Sequence, residues 1–392
     1  MEKKVSILLV GIGGYGNLYV NELLDHGDEH NVEIAGIVDP FPQGCKRFND
    51  LQQADIPMYR LMEEFYQINK ADLAIVSSPI HYHCEQVCIA LSNGSNVLCE
   101  KPISATPVEA MKMLEMQKRT GKIVGIGYQW SYSKAMLDLK KDILKGVFGK
   151  PVRLKTLVLW PRDKKYFARG WAGKVSDDHG RMILDSVANN ATAHYLHNMF
   201  FVLGEAIDKS AIPDKVTAEL YRANNIENFD TVAAKIMTKC GVELCFYASH
   251  AILDSSGPLF EYEFEDATVF YDGSHGKNVI SAKFKDGTEK IYGDLFVEDI
   301  SKLWTLVDAI RGVGTIPCKI ETALSHTLCI DAMHRSVPDI HNFSDTFKCY
   351  DEQQELVWVD GLGDVLKTCY SLGVLPSEIG ASWAITGKTV DV

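Results

Sequence analysis

The sequence predicts an α/β protein: a doubly wound parallel sheet, followed by an α+β domain with a large, open, mainly antiparallel sheet. In the first third, short apolar runs alternate with segments of helical spacing, as in a parallel sheet covered by helices. Beyond Gly149-Lys150-Pro151 the apolar runs lengthen and alternate with polar residues, which is typical of antiparallel strands. A glycine-rich turn, Gly11-Ile12-Gly13-Gly14-Tyr15-Gly16, follows the first run.

This turn has the spacing of a dinucleotide-binding loop. It lies between a buried strand predicted at Val5–Val10 and a helix predicted over Asn17–Leu24. Gly11 permits the tight turn, Gly13 lets the backbone approach a pyrophosphate, and Gly16 allows close helix packing. The phosphates would then lie at the helix N-terminus, where backbone amides favour negative charge. The predicted cofactor-binding turn also includes Ile12, Gly14 and Tyr15.

An acidic residue ends the second predicted strand, Val32–Val38. Asp39 follows Gly16 at the distance at which a carboxylate binds the adenosine ribose hydroxyls. Because no arginine directly adjoins Asp39 to accept a 2'-phosphate, NAD is favoured over NADP, although Lys46 and Arg47 keep NADP open. A polar turn residue is the alternative interpretation of Asp39.

The strand pattern divides the chain into three parts. We expect an NAD-binding Rossmann domain over residues 1–128 and an α+β domain over residues 129–336, to which the family resemblance described below adds substrate binding and oligomerisation. A C-terminal extension over residues 337–392 would pack on the domains or on a partner subunit. Within the second domain, helices are predicted near Asn190–Leu203, Leu295–Arg311 and Ile320–Arg335.

Composition narrows the possible partners and compartments. The chain has 392 residues, with 40 basic and 52 acidic side chains and a formal net charge of -12, which argues against a nucleic-acid-binding surface. No apolar run is long enough to span a membrane. The N-terminus passes directly into the first predicted strand, which leaves no room for a signal peptide. We therefore expect a cytoplasmic protein without nucleic-acid or membrane partners.

The ten cysteines do not form a metal-binding pattern. They lie mostly in apolar segments and include no C-x-x-C pair, so we expect buried, reduced thiols. His81, His83, Cys84 and Cys88 are close in sequence, but a structural zinc site normally needs a second ligand pair, which is not evident. We therefore predict no metal.

Several motifs follow one another in a characteristic order. Together with the glycine turn they resemble the glucose-fructose oxidoreductase, inositol dehydrogenase and rhizopine catabolism family, Gfo/Idh/MocA, over residues 1 to 336. The resemblance implies NAD(P) in the first domain, a substrate-binding open sheet that often makes the oligomer contact, and redox chemistry at a secondary hydroxyl of a sugar, cyclitol or polyol. The motifs are Ser78-Pro79-Ile80-His81-Tyr82-His83, Glu100-Lys101-Pro102, Gly127-Tyr128-Gln129, Gly149-Lys150-Pro151 and a late helix, Glu321–Ser336.

Lys101 is the candidate catalytic lysine. Moving hydride from a carbinol carbon to nicotinamide requires the hydroxyl proton to leave and the developing oxyanion to be stabilised. A lysine at the carboxyl end of the fifth strand is placed for both, and Glu100 would tune it or bond the nicotinamide ribose. A surface lysine before a turn-forming proline is the alternative. The further candidate cofactor ligands are Ser78, Pro79, His83 and Gln129, and Gln129 is also a substrate candidate.

The helix that the resemblance assigns to the substrate departs from the family pattern of Asp-x-x-x-His. Counting forward from the upstream glycine turn places these positions at Asp185 and Asn189, and counting back from the Leu-Gly end places them at Asn190 and His194. The segment is longer than the pattern requires. Asn189 cannot shuttle a proton, whereas a histidine of near-neutral pKa suits that task.

Helix geometry helps to choose between the two registers. In one continuous helix Asp185 and His194 would lie on opposite faces, whereas Asn190, His194 and His197 share a face. If the helix begins near Asn189, Asp185 lies in an extended lead-in. We favour His194 as acid/base partner, Asn190 as a hydroxyl-orienting amide and Asp185 as a further catalytic residue and substrate ligand. Asn189 is also a substrate-binding candidate. A polar stripe at a subunit contact is the alternative.

The connection that leads to this helix is rich in aromatic and basic residues. It contains Trp160, Arg162 and Trp171. Aromatic rings stack on sugar faces and an arginine can hold a carboxylate, so these three residues are substrate candidates and a uronic acid or acidic glycoside is one possible substrate. A solvated loop with two packing tryptophans is equally compatible with the sequence.

These observations favour an NAD-dependent oxidoreductase that acts on a secondary hydroxyl of a sugar, glycoside or cyclitol, in a homo-oligomer assembled through the open sheet. One alternative is an NAD-using glycosidase or lyase in which transient sugar oxidation labilises a neighbouring bond. Another is a non-enzymatic NAD-sensing protein, suggested by the unusual asparagine-rich segment. The sequence does not choose the sugar, the carbon oxidised or the oligomer, dimer or tetramer.

Overall fold

The computed structural model describes residues 3–274, 278–296 and 300–392, which form two compact units. The first contains residues 3–132 and 300–324, and the second contains residues 133–296 and 325–392. The first unit therefore takes in the segment 300–324, which the sequence assignment placed in the second domain. Among the described residues, no helix combines the length and the apolar character needed to cross a bilayer.

The first unit is built on a six-stranded, all-parallel sheet with strand order β3-β2-β1-β4-β5-β6. This order confirms the doubly wound fold and brings the carboxyl ends of β1, β4 and β5 side by side. Its strands are β1 (Val5–Val10), β2 (Val32–Val38), β3 (Met58–Tyr59), β4 (Leu73–Val76), β5 (Asn96–Cys99) and β6 (Val124–Ile126). Its α-helices before residue 132 are α1 (Gly16–His26), α2 (Phe48–Gln53), α3 (Met62–Ile68), α4 (His83–Ser92) and α5 (Pro107–Thr120).

A helix from much later in the chain completes the first unit. Helix α9 (Ser301–Ile310) places Trp304 against His30 with ring centroids 3.6 Å apart, and the Trp304 indole donates to Glu22 at 2.8 Å. Leu306 packs on Gly125, where a Cβ would lie only 2.6 Å from the leucine side chain. These contacts bury the apolar face of α9 against the parallel sheet, which explains why the segment belongs to this unit.

The second unit contains a ten-stranded sheet with the order β14-β13-β12-β11-β7-β10-β9-β8-β15, and β18 also pairs with β8. The pairs β7–β10 and β8–β15 are parallel and the other pairs are antiparallel, so the predicted open, mainly antiparallel sheet is confirmed. The strands are β7 (Pro151–Leu159), β8 (Pro213–Arg222), β9 (Thr231–Thr238), β10 (Glu243–Ser249), β11 (Ser256–Phe264), β12 (Ala267–Asp272), β13 (Val279–Phe284), β14 (Glu289–Asp294), β15 (His341–Asn342) and β18 (Val390–Asp391).

Helices pack on one face of this sheet. Helix α8 contacts β7, and Asn198 of α8 donates to the Tyr262 hydroxyl of β11 at 3.0 Å. Both side chains are buried, so this hydrogen bond satisfies polar groups inside the core. The helices of this unit are α6 (Lys134–Leu144), α7 (Lys164–Phe167), α8 (Ala193–Val202) and α11 (Leu362–Leu372), together with the part of α10 (Ile320–Ser336) from residue 325 onward.

The C-terminal extension covers the opposite face of the same sheet. Leu362 and Leu366 of α11 are fully buried in a cluster with Leu157 of β7 and Tyr247 of β10. The Tyr247 hydroxyl donates to the carbonyl of Val374 at 2.9 Å. A small hairpin, β16 (Lys348–Asp351) and β17 (Leu356–Val359), belongs to the same extension. The central strands of the sheet are therefore covered on both faces by elements of this chain.

Candidate active site

Two glycines of the predicted cofactor turn are required by contacts within the protein. Gly11 has a φ of +80°, and a Cβ there would lie 2.9 Å from the backbone nitrogen of Ser78. A Cβ on Gly16 would lie 2.2 Å from the carbonyl oxygen of Gly11, which is closer than atoms can approach. Gly11 therefore makes the tight turn and Gly16 allows α1 to start directly against it.

Gly13 differs from these two glycines because the position that a Cβ would occupy on it is open. No atom lies within 4 Å of a Cβ built on Gly13, so the turn has a vacant side that a pyrophosphate can approach. The Ile12 amide donates to Asp39 at 2.9 Å, and Asp39 also accepts from the Phe41 amide at 2.7 Å. Asp39 thus lies at the end of β2 and directly beside the turn. These residues fit the phosphate and ribose groups of a dinucleotide.

The loops after β4 and β5 are tied together by a buried histidine. The ring nitrogens of His83 lie 2.9 Å from the carbonyl oxygens of Pro102 and Ser78. Burial lowers the pKa of His83. The sequence predicts a cofactor ligand at His83, but its ring is engaged within the protein, so it braces the two loops instead. Ser78 and Pro79 keep their predicted place beside Gly11, with the Ser78 hydroxyl bonded to Gln86.

Glu100 is also used inside the protein. One carboxylate oxygen accepts from the Tyr19 hydroxyl at 2.6 Å and from the ammonium of Lys302, which is fully buried on α9. The other oxygen accepts from the backbone amide of Lys101 at 3.2 Å. The sequence proposes Glu100 as a ribose ligand, but this carboxylate is buried and its two oxygens face protein donors. Glu100 therefore fixes the turn that carries Lys101.

Sequence reasoning missed Lys302. It lies about two hundred residues after Glu100 in the chain, in a helix whose pattern is simply amphipathic. Its ammonium donates to the Tyr15 hydroxyl at 2.9 Å, and that hydroxyl donates to the Gln129 side chain at 3.1 Å. In the sequence, Lys302 is only one lysine in an amphipathic helix, and the local pattern does not show that its charge is buried. Lys302 links the glycine turn to the turn that carries Lys101.

Lys101 itself lies two residues beyond the end of β5. Its side chain is partly exposed, whereas Glu100 and Pro102 on either side are buried. The residues around it hold its backbone and leave the side chain accessible. Gln129 is likewise partly exposed, in the turn that follows β6. The cradle, Lys101 and Gln129 thus all belong to the first unit.

The asparagine-rich segment of the second unit forms a π-helical turn, Val187–Ala191, immediately before α8. The Thr192 amide donates to the carbonyl of Val187 at 2.9 Å, five residues back. Ser186 is extended and its hydroxyl caps the turn by accepting from the Asn189 amide at 3.1 Å. The extra residues of this segment are absorbed by the wide turn, a feature that is frequent at functional sites.

Asp185 lies in the predicted extended lead-in, but it is committed to the protein. It is 2% exposed, and it accepts from the Gly173 amide at 2.6 Å and from the Asn190 amide group at 2.8 Å. Asn189 is also buried, and its side chain donates to the carbonyl of Leu184 at 2.9 Å. Asp185 and Asn189 are thus buried, with Asp185 hydrogen-bonded to the Gly173 amide and to the Asn190 side chain, and their assignment as substrate ligands stays a prediction.

The side chains of Asn190 and His194 are more exposed than those of most residues around them. From Ile183 to Val202, every residue is buried except Asn190, Ala191 and His194. The two polar side chains are therefore accessible from one side of an otherwise buried segment. His197, one turn further along, is buried, and burial lowers its pKa well below the usual range. Of the two registers, the one with Asn190 and His194 is therefore the one whose side chains are partly exposed.

The aromatic and basic connection gathers around the end of β7. Trp160 packs edge-on against Tyr195 with ring centroids 5.5 Å apart, and its indole donates to the carbonyl of Gly257 at 3.3 Å. The guanidinium of Arg162 lies 5.6 Å from the Trp160 ring. Trp171 lies beneath the guanidinium of Arg169 at 4.6 Å. Trp160, Arg162 and Trp171 are thus brought into one region beside the start of α8.

Comparison with known proteins shows which family the first unit resembles. The Gfo/Idh/MocA family model, described as an oxidoreductase family with an NAD-binding Rossmann fold, matches residues 5–128. The rhizopine catabolism protein MocA of Rhizobium meliloti is 28% identical over 141 residues, covering 36% of this chain and 43% of that protein. Residues 5–128 are therefore similar to the NAD-binding domain of the Gfo/Idh/MocA family.

Two further known proteins are similar to this chain over longer stretches. Inositol 2-dehydrogenase of Rubrobacter xylanophilus is 23% identical over 226 residues, covering 57% of this chain and 59% of that enzyme. The chain thus spans about half the length of the curated relatives it matches. The WlbA dehydrogenase of Bordetella pertussis, solved with NADH and UDP-GlcNAcA, has a TM-score of 0.71 at 19% identity, covering 86% of this chain and 97% of that one. This structural likeness concerns the fold.

Proposed function

We propose that this protein is an NAD-dependent oxidoreductase that transfers hydride between a secondary hydroxyl of a sugar, glycoside or cyclitol and nicotinamide. The observation that carries the proposal is the accessible Lys101 on a turn fixed by the buried Glu100–Lys302 pair, in the same unit as the Gly13 cradle. When bound, NAD supplies the hydride acceptor. The protein then has to manage the proton of the substrate hydroxyl.

Lys101 takes this role. Its amine accepts the hydroxyl proton as the carbon–hydrogen bond breaks, and the resulting ammonium stabilises the negative charge that develops on oxygen. His194 exchanges that proton with solvent, and Asn190 orients the hydroxyl group through its side-chain oxygen. Asp185 supports the reaction indirectly, since its carboxylate accepts from the Asn190 amide and fixes which end of that group faces outward.

The proposal is tested by incubating the purified protein with NAD and a panel of sugars, glycosides and cyclitols. NADH is followed by absorbance and products by mass spectrometry. We expect NADH and a ketone product in equal amounts, and a loss of about 10²–10⁴-fold in kcat for Lys101→Ala and His194→Ala. Exposed Lys118→Ala and His179→Ala, which lie on solvent-facing positions, serve as matched controls with unchanged kcat.

Other outcomes of the same experiment would overturn the proposal. Product without net NADH would indicate a bond cleavage that regenerates the cofactor. NAD binding without any product would indicate a sensing protein. Full turnover by His194→Ala would remove His194 from the mechanism and return the acid/base role to another group.

We also propose a cytoplasmic homo-oligomer, dimer or tetramer, assembled through the large sheet. Since the C-terminal extension occupies the face of β7 and β10, the contact would use the strands towards β14, where Phe270 and Ile291 are exposed. Phe270→Lys with Ile291→Lys should then lower the mass measured by light scattering. An unchanged mass would rule out this contact.

A further inference from the structure

The guanidinium of Arg162 has no carboxylate partner within the part of the chain that the structure describes. Its Nη1 reaches only the carbonyl oxygen of Pro161, at a long 3.4 Å, and its Nε is buried without a hydrogen-bond partner among the described residues. The guanidinium lies 5.0 Å from the Tyr166 ring centroid. A buried donor left unpaired costs free energy of unfolding, so an acceptor from outside the chain would be favourable here.

A second guanidinium lies close to the same ring. That of Arg169 is 3.9 Å from the Tyr166 ring centroid, and its Nε donates to the Tyr166 carbonyl at 2.9 Å. Neither arginine forms an ion pair with any residue that the structure describes. Two cations concentrated at one aromatic ring, in a chain of net charge -12, make a local positive patch.

The nearby carboxylates are already engaged. Asp163 caps α7 by accepting from the Tyr166 amide at 2.9 Å, and Asp185 accepts from the Gly173 amide and from Asn190. By contrast, Arg181 in the same connection pairs with Asp177 at 2.7 Å. Arg181 is therefore neutralised within this segment, whereas residues 3–274, 278–296 and 300–392 supply no acidic partner for Arg162.

The Arg162 guanidinium borders an open cavity. The cavity has a volume of about 370 Å³ and is lined by Trp160, Pro161, Arg162 and Ser255. This is within the range of small-molecule sites. The Trp160 ring on its wall contacts Tyr195, the residue after His194. The cavity thus belongs to the same part of the second unit as the proposed acid/base histidine.

We propose that Arg162 binds an anionic group of the substrate, so that the substrate is an acidic sugar or glycoside carrying a carboxylate or a phosphate. This inference rests on the proposed function and names its substrate class. The planar guanidinium presents paired donors that match either anion, and charge-assisted hydrogen bonds are about twice as strong as neutral ones. Trp160 supplies an aromatic wall against which a sugar ring can pack, and Arg169 adds to the positive potential.

The test measures kcat/KM with NAD for glucose, glucuronate, glucose 6-phosphate, UDP-glucose and UDP-glucuronate. In the wild-type protein we expect a higher kcat/KM for an anionic sugar than for the matching sugar without that anion. The pairs are glucuronate or glucose 6-phosphate against glucose, and UDP-glucuronate against UDP-glucose. Arg162→Met should reduce the ratio of anionic to neutral kcat/KM by about 10–100-fold. The ratio for Arg162→Lys should lie between those of the wild type and Arg162→Met, because lysine keeps the positive charge but lacks the paired donors of the guanidinium. The exposed Lys165→Met, which removes a nearby positive charge, should leave the ratio unchanged.

The pairs also separate the two anion sources: a carboxylate site favours the glucuronates and a phosphate site favours glucose 6-phosphate. An unchanged ratio in Arg162→Met, or wild-type preference for the neutral sugars, overturns the inference. If no sugar is oxidised, the proposed function fails, and calorimetric titration with glucuronate and glucose 6-phosphate decides the inference alone. Binding that Arg162→Met weakens at least tenfold supports it, and absence of binding to wild-type protein overturns it.

Discussion

Gly13 and Gly16 are needed for different reasons, and substitution separates them. Gly16→Ala places a methyl group against the carbonyl of Gly11, so we expect both the thermal stability of the free protein and its NAD affinity to fall. Gly13→Ala meets no protein atom, so the free protein should keep its melting temperature and lose at least tenfold in NAD affinity. Calorimetric melting and NADH fluorescence titration measure the two effects. If Gly13→Ala binds NAD as tightly as the wild-type protein, Gly13 does not form part of the pyrophosphate site.

Lys302 lies at the centre of the buried network of the first unit. Lys302→Met leaves the Glu100 carboxylate buried beside Tyr19 without its cation, and breaking such a pair costs about 3–5 kcal/mol of unfolding free energy. Because Glu100 also accepts from the Lys101 amide, we expect kcat to fall while NAD affinity changes little. Chemical denaturation and steady-state kinetics measure both.

The double variant Glu100→Gln, Lys302→Met distinguishes stability from positioning. With both charges removed, most of the lost stability should return. The kcat should stay low, because the amide cannot restore the ion pair that fixes the Lys101 turn. If kcat recovers along with stability, Lys302 acts through folding alone. Lys118→Met, on an exposed face of α5, is the control for loss of a lysine.

The residues that could be predicted from sequence are those whose role follows from local backbone geometry. Gly11, Gly16 and Asp39 are set by a strand, a turn and a helix that are contiguous in the chain. Lys302 could not be predicted because its partner is distant in sequence. Asp185 was assigned to the substrate because a carboxylate before a helix is available in principle. Only the folded loop shows that the Gly173 amide and Asn190 take it.

At the scale of elements, the π-helical turn Val187–Ala191 decides what α8 presents. Deleting Ala191 would return the turn to α-helical spacing and rotate Asn190 by about 100° relative to His194. We expect kcat to fall at least 100-fold, with NAD affinity retained, since the turn belongs to the second unit. NADH fluorescence and kinetics measure these two quantities. Retained turnover would show that Asn190 and His194 need not act together.

Elements were predictable where their hydrophobic period was clear. Strands β1 and β2 have the predicted bounds, because an apolar run marks their ends. Strand β14 was not predicted, since Glu289–Asp294 contains exposed charged residues and a glycine at the sheet edge. The π-helical turn was also not predicted, because a longer segment can be absorbed by a loop, a bulge or a wide turn, and only packing selects one.

At the scale of the whole molecule, the C-terminal extension supports the sheet that carries the substrate candidates. Leu366 of α11 is buried in one cluster with Leu157 and Leu159, and β7 leads directly to Trp160. Leu366→Ala should therefore lower the unfolding free energy by about 2–5 kcal/mol, whereas Leu372→Ala on the same helix, which is 55% exposed, should change it by less than about 0.5 kcal/mol. Urea denaturation measures both. Equal, small changes would mean that the extension contributes little to the stability of the sheet, and the Trp160–Arg162 region would then have to be held by β7 and its neighbouring strands alone.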